Sequence, residues 1–131
     1  APDINIQKLI NNLPPNSLDG LQYKKIEFEP KSISGKESNP KFKNLKCNGI
    51  KFTIMERDKV KPIYLGVSLI KKSYELFPDE LKPNRFLDSL WGSENLRASL
   101  INNLNINSIL KKSNGQLNNF LEIRKNYLLY N

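Results

Sequence analysis

The sequence contains no histidine and only one cysteine, Cys47. Without histidine, the chain cannot build a zinc site of cysteine and histidine ligands, a Ser-His-Asp triad or a Cys-His pair from its own residues. A single cysteine also cannot form an internal disulfide. Acid–base chemistry would therefore depend on carboxylates, lysine or tyrosine, and we predict no cofactor. Cys47 lacks an activating partner, so we predict that it is a small packing residue near a strand start.

Long hydrophobic runs are also missing. None approaches the roughly 18 residues that a bilayer-spanning helix needs, so we predict no membrane span. No positively charged segment followed by a hydrophobic run opens the chain as a secretion signal would. The chain starts with Ala1 instead of methionine, which is typical of a processed chain, an expressed fragment or a piece of a longer protein.

Acidic residues are few. The chain has 13 acidic and 21 basic residues, which gives a net charge of +8. Such a charge attracts anions, and a basic nucleic-acid-binding domain is one alternative function. Arginine, the better reader of phosphates and bases, is scarce, and no arginine lies in a recognition-helix or aromatic-stacking motif. A lysine-rich surface that keeps the domain soluble is the simpler interpretation.

The hydrophobic spacing predicts one α+β domain, residues 1–131, with a small two- or three-stranded sheet packed against several helices. Alternation predicts strands at 21–29, with a bulge where its phase changes, and at 50–54. The final "YLLY" is a candidate third strand; otherwise a missing part of the protein would complete the sheet. Helices are predicted at 4–13, 62–77, 94–103, 106–112 and 116–126, with a short apolar turn at 85–92.

Several local roles follow from these elements. We expect Asp3 and Ser93 to cap the helices that they precede. Gly66 is expected to let a strand or a second helix approach its helix closely. The last helix is expected to bury Leu117, Phe120 and Leu121. Residues 31–46 form a long, basic, polar loop, and loops of this length are typically functional or mobile.

The ordered set of motifs resembles the C-terminal domain of the exo-β-N-acetylmuramidase family of NamZ-type enzymes. "APDIN" precedes the first helix, and "YKKIEFEP" is a strand that ends at a proline. "CNGIKFTIMERDKVKPIYLGVSLI" is similar to the family's Cys-x-Gly strand, arginine turn and proline-led helix. "RFLDSLWGSENLRASL" and the closing "FLEIRKNYLLY" also resemble family segments. The resemblance covers nearly the whole chain, in order.

The resemblance implies a bacterial cell-wall enzyme that is exported to the periplasm or the exterior. Members are similar to glycosidases that release N-acetylmuramic acid from the non-reducing ends of peptidoglycan fragments. It also implies that the catalytic glutamate lies in an N-terminal Rossmann-like domain that is absent from these residues. This chain would then be an auxiliary C-terminal domain that lines the substrate cleft. The implied partners are that catalytic domain and muramic-acid-containing peptidoglycan fragments.

The carboxylates of the chain agree with a non-catalytic role. Glycosidases need two carboxyl groups about 5–9 Å apart across the scissile bond. Glu27 and Glu29 share one strand face at roughly 7 Å, but they oppose Ile26 and Phe28 and are expected to form surface salt links. Glu56 and Asp58 flank Arg57 in a turn. We therefore predict no catalytic residue and no independent hydrolysis.

Three cations are the candidate substrate-binding residues: Arg57, Arg124 and Lys43. Arg57 is suited to grip a carboxylate with two parallel hydrogen bonds, although an ion pair with Glu56 or Asp58 is an open alternative. For Arg124 the alternative is a buried structural contact.

Three aromatic residues also have open roles. Trp91 could stack on a sugar or belong to the core, and Tyr127 and Tyr130 are expected to tie the terminus to the body. A purely structural or dimerising domain is the remaining alternative, which an apolar patch on the first helix or the sheet edge would favour.

Overall fold

A computed structural model describes residues 1–129, without the side chains of Lys112, Ser113 and Gln116. It confirms the α+β prediction, with one small antiparallel sheet and six helical segments in this part of the chain. The chain divides into two compact units, Ala1–Lys82 and Pro83–Asn131. Within the described residues, no helix is both long and hydrophobic enough to cross a membrane. The elements are α1 (Ile6–Asn11), β1 (Leu21–Phe28), β2 (Cys47–Ile54), a 3₁₀ turn (Arg57–Lys59), α2 (Pro62–Leu76), α3 (Arg85–Trp91), α4 (Asn95–Ile101) and α5 (Ile106–Lys125).

The sheet of the first unit is a hairpin of β1 and β2. Pairing runs without interruption from Leu21 opposite Ile54 to Phe28 opposite Cys47, so the predicted bulge is wrong. Alternate residues point to opposite faces of a sheet. The hydrophobic alternation changes phase because Leu21 lies on one face of the sheet and Ile26 on the other. Each face carries its hydrophobic residues at a different end of the strand.

The core of the first unit forms around α1. Ile4, Ile6, Leu9 and Ile10 are buried together with Phe77, and half-buried Ile50 of β2 packs against them. The residues whose hydrophobic spacing predicted α1 thus form its buried face. The cap is Asn5 rather than the predicted Asp3, because the helix begins at Ile6 and the Asn5 side chain accepts the Lys8 amide at 2.9 Å.

Helix α2 begins at Pro62 as predicted and ends at Leu76. Its buried residues are Leu65, Val67, Ser68 and Lys71. Ile63, at the start of the helix, is exposed. The predicted role of Gly66 is wrong, since a Cβ at this position would meet nothing within 4 Å.

The second unit begins with α3, where the sequence predicted only a turn. The Asn84 side chain accepts the Phe86 amide at 3.1 Å, and Gly92 ends the helix in the left-handed region with φ of 80°. An ion pair then joins α3 to α4: Arg97 Nε lies 2.9 and 2.8 Å from the two carboxylate oxygens of Asp88. The predicted Ser93 cap is wrong, because Glu94 occupies the cap position and makes no side-chain capping bond.

Helix α5 is continuous through Asn114 and Gly115, so the predicted break there is wrong. A glycine inside a helix costs about 1 kcal/mol relative to alanine but does not end the helix by itself. The helix is capped at its start, where the Asn105 side chain accepts the Ser108 amide at 2.8 Å. Residues 127–129 form no strand, and Tyr130 lies outside the described residues. The third strand predicted at "YLLY" is therefore not found in the described part of that segment.

Candidate functional site

The turn that carries Arg57 is fixed to the start of the hairpin by Gly20. The Gly20 carbonyl accepts the amides of Met55 at 2.9 Å and of Glu56 at 3.1 Å. Gly20 has a φ of +72°, and a Cβ there would lie 2.3 Å from the Glu56 carbonyl oxygen. Only glycine tolerates both the positive φ and this close backbone approach. The contact determines where the chain leaves β2 and therefore where Arg57 is presented.

The Arg57 side chain is exposed to solvent. Glu56 pairs with Lys59 at 2.7 Å instead, and in the described part of the chain no ion pair involves Arg57. The alternative of an Arg57 pair with Glu56 or Asp58 is therefore wrong. Guanidinium groups stay charged and offer donors in a planar fork that matches a carboxylate. Arg57 is a cation available for a ligand.

Exposed hydrophobic residues flank the Arg57 turn on both sides in sequence. Ile54 ends β2 and is 61% exposed, Met55 follows at 63%, and Ile63 in the first turn of α2 is 59% exposed. This segment thus offers exposed cations, Arg57 among them, and apolar surface together. Such a surface suits a ligand that carries both a carboxylate and methyl groups.

Lys43 lies in the loop that joins β1 to β2, at the other end of the hairpin from Arg57. The loop is ordered by its own contacts: the Asn44 amide donates to the Pro30 carbonyl at 2.9 Å, and Ile33 and Glu37 form a bridge. Lys43 is exposed at its surface. At about 3.3 Å per strand residue, the two ends of the eight-residue ladder are roughly 23 Å apart. Lys43 and Arg57 therefore cannot hold the same carboxylate.

Glu27 forms the surface salt link that the sequence predicted. It lies 2.8 Å from Lys46 and both side chains are mostly exposed. The hydrogen bond to Glu27, together with the nearby negative charge, raises the pKa of Lys46. Glu27 also borders an open groove of about 670 Å³ between residues 2–7 and the hairpin, which also contains Asp3, Lys25 and Asn48. Among the described residues, no group of three cysteine or carboxylate side chains could hold a metal ion.

The candidate residues of the second unit are more exposed than the sequence indicated. Arg124 in the last turn of α5 is exposed, so the alternative of a buried structural contact is wrong. Tyr127 is 79% exposed and does not tie the terminus to the body, whereas Tyr130 lies outside the described residues. Trp91 is half-buried at the end of α3. By contrast, Cys47 is buried at the first position of β2, as predicted.

Sequence reasoning missed the residues that position the site. Gly20 ends "NSLDG" just before β1, and a glycine between a turn and a strand is a signal for a positive φ. Its contact with Glu56 is not local and leaves no spacing pattern. The groove beside residues 2–7 is likewise formed by segments distant in sequence.

The fold and the exposed side chain define a class: a small α+β domain that presents an arginine, Arg57, in the turn after its hairpin. The family described as "Exo-beta-N-acetylmuramidase NamZ, C-terminal" matches residues 1–130. The chain belongs to this family, as its motifs predicted. The nucleic-acid and dimerisation alternatives find no support in the comparisons.

A full-length relative agrees with the family match. The chain is 26% identical over 132 residues to "Peptidoglycan beta-N-acetylmuramidase NamZ" of Bacillus subtilis (strain 168). The match covers 99% of this chain but 30% of the relative, so the chain spans less than a third of that protein's length. No solved structure matches the chain.

Proposed function

We propose that residues 1–131 are the non-catalytic C-terminal domain of a peptidoglycan exo-β-N-acetylmuramidase. In this proposal the chain lines a substrate cleft that is completed by an N-terminal catalytic domain of the same parent protein. The observation that carries the proposal is the exposed Arg57 guanidinium, presented by a turn that Gly20 fixes, in a chain of this family. A named relative that acts on peptidoglycan supports the substrate class.

Arg57 would position the substrate through its lactyl group. N-acetylmuramic acid carries a carboxylate on that group, and a guanidinium can donate two parallel hydrogen bonds to it. Exposed Met55 and Ile54 would contact the lactyl and acetamido methyl groups. Because Arg57 has no competing ion pair in the described chain, it need not break an internal contact to bind. The contribution is orientation of the ring, which lowers the entropic part of the barrier.

Bond cleavage would depend on the other domain. Glycoside hydrolysis requires an acid and a second carboxylate on opposite sides of the scissile bond. Glu27 forms an ion pair with Lys46, and Glu56 forms one with Lys59; both pairs lie at the surface. We therefore propose that this chain adds shape and positive charge, and that turnover requires the catalytic domain.

Lys43 would contact another part of the substrate. The distance between the ends of the hairpin, roughly 23 Å, exceeds the length of one sugar ring several-fold. Lys43 would therefore meet a more distant portion of a peptidoglycan fragment, such as an acidic group of its peptide.

The experiment is the affinity of this chain for a muramic-acid-containing disaccharide, measured by NMR titration. We expect Arg57→Ala to weaken binding about tenfold, the usual order for a lost charge-assisted hydrogen bond. Arg85→Ala is the matched control, since Arg85 is another exposed arginine, placed at the start of α3. A chitin disaccharide, which lacks the lactyl carboxylate, should bind equally to the native chain and to Arg57→Ala.

Three outcomes would contradict the proposal. Unchanged affinity in a folded Arg57→Ala chain would remove Arg57 from the substrate site. Hydrolysis of a chromogenic muramide by this chain alone would overturn the non-catalytic assignment, whereas no gain in turnover when the catalytic domain is joined to it would overturn the auxiliary role.

A further inference from the structure

Helix α5 carries one hydrophobic stripe along its length. Ile106, Ile109 and Leu110 occupy the same helical face as Leu117, Phe120 and Leu121, because the two groups are spaced by 11 residues, three helical turns. In an amphipathic helix of a folded domain, such a stripe normally faces the core along its whole length. The two halves of α5 should therefore be covered alike.

They are not covered alike. Ile106 and Ile109 are 7% and 4% exposed. The later residues, Leu117, Phe120 and Leu121, are 50%, 58% and 38% exposed; we call these three the uncovered stripe. Leu128, which follows the end of α5, is also exposed. Contiguous exposed hydrophobic residues that continue a buried stripe are typical of an interface.

Charge indicates what covers this stripe. The described side chains of α5 include three cations, Lys111, Arg124 and Lys125, against one acid, Glu122. Glu122 already pairs with Lys125 at 2.7 Å, which leaves Lys111 and Arg124 without an acidic partner in the described chain. A second copy would bring like charges together, which disfavours a symmetric pair. A surface with acidic side chains around an apolar centre would be complementary.

The extent of the family match indicates where that surface lies. This chain corresponds to 30% of the Bacillus subtilis relative, so most of that protein lies outside the matched segment. We propose that the uncovered stripe docks on the part of the parent protein outside this chain, against an apolar surface rimmed by acidic residues. The proposal rests on the proposed function, which places the chain in a longer enzyme.

Hydrogen exchange tests the docking without any substrate. The amides of residues 117–124 are compared in this chain and in the longer protein encoded by its own gene. We expect exchange to be at least about tenfold slower in the longer protein, because docking suppresses local opening of the helix end. Because no ligand is present, this readout is independent of the Arg57 experiment, and either proposal can fail alone.

A pair of variants gives the control. Phe120→Glu introduces a charge into the uncovered stripe and should remove most of the slowing in the longer protein. Asn119→Glu introduces the same charge one residue earlier on the opposite face and should leave the slowing intact. In the isolated chain Phe120→Glu should leave the helical content unchanged by circular dichroism, since Phe120 is exposed there.

Three results would overturn the docking. Equal exchange rates in the chain and the longer protein would show that nothing covers the stripe. Protection that grows with the concentration of the isolated chain, and that Phe120→Glu abolishes, would assign the stripe to a second copy. A gene that encodes no segment beyond this chain would remove the proposed occupant.

Discussion

The two compact units cover their hydrophobic residues to very different degrees. In the first unit, the short helix α1 buries all three of its isoleucine and leucine side chains in the core, and Leu9 is only 4% exposed. In the second unit, the much longer α5 leaves Leu121 38% exposed. The hydrophobic pattern is equally clear in both helices. Periodicity thus identifies a face, but the neighbouring surface decides whether that face is buried.

Truncating one leucine in each helix should give the largest contrast. Leu9→Ala removes side-chain atoms from a packed core and should lower the free energy of unfolding by about 3 kcal/mol. Leu121→Ala removes partly exposed atoms and should cost about 0.5 kcal/mol. Urea unfolding followed by circular dichroism measures both. Equal losses would show that the C-terminal half of α5 is already packed in the isolated chain.

The next contrast concerns two glycines that share a backbone conformation. Gly20→Ala places a Cβ 2.3 Å from the Glu56 carbonyl oxygen at a φ of +72°. We expect a loss of about 2–3 kcal/mol, from the left-handed conformation and the displaced turn together. Because the displaced turn presents Arg57, binding of a muramic-acid ligand should weaken as well.

Gly35→Ala is the control for this substitution. Gly35 has a φ of +73°, yet a Cβ there would meet nothing within 4 Å. The conformational cost alone, about 1 kcal/mol, should remain, and ligand binding should not change. If Gly35→Ala lowered the free energy of unfolding and weakened ligand binding as much as Gly20→Ala does, the close approach of Gly20 to Glu56 would have no part in presenting Arg57.

These contrasts show which parts of the molecule the sequence could predict. Local signals were sufficient for α1, α2 and β2, where Pro62 starts a helix and Ile50 and Phe52 alternate with polar residues. They failed where one local signal was outweighed by the residues around it. The Asn114–Gly115 pair looks like a break, but the surrounding helical residues outweigh the cost of one glycine.

The candidate site divides in the same way. Arg57 was identifiable from its place in a family motif, and its exposure agrees with that choice. Whether it was paired could not be read from sequence, because Glu56 and Asp58 are both adjacent and only geometry shows that Glu56 pairs with Lys59. The separation of Lys43 from Arg57 likewise depends on the pairing register of the hairpin.

The smallest expected contrast compares the ion pairs of two glutamates, one half-buried and one exposed. On α2, the Glu75 carboxylate forms ion pairs with both Lys71 and Lys72. Burial, the largest single influence, would raise its pKa, but the hydrogen bonds and positive charges of the two lysines together lower it below the usual 4.5. A lowered folded-state pKa contributes stability above the unfolded pKa, and this contribution is lost as the pH falls through the folded value.

Glu75→Gln should therefore cost about 1 kcal/mol at pH 7, and the difference from the native chain should shrink as the pH falls below about 4.5. Glu122→Gln is the matched control, since Glu122 pairs with Lys125 at 2.7 Å on α5 with both side chains mostly exposed. Solvent screening should hold its effect near 0.3 kcal/mol, roughly the value of an exposed helical pair. Thermal unfolding between pH 3 and 7 measures both, and a pH dependence of equal size in the two variants would show that the surroundings of Glu75 do not strengthen its ion pairs.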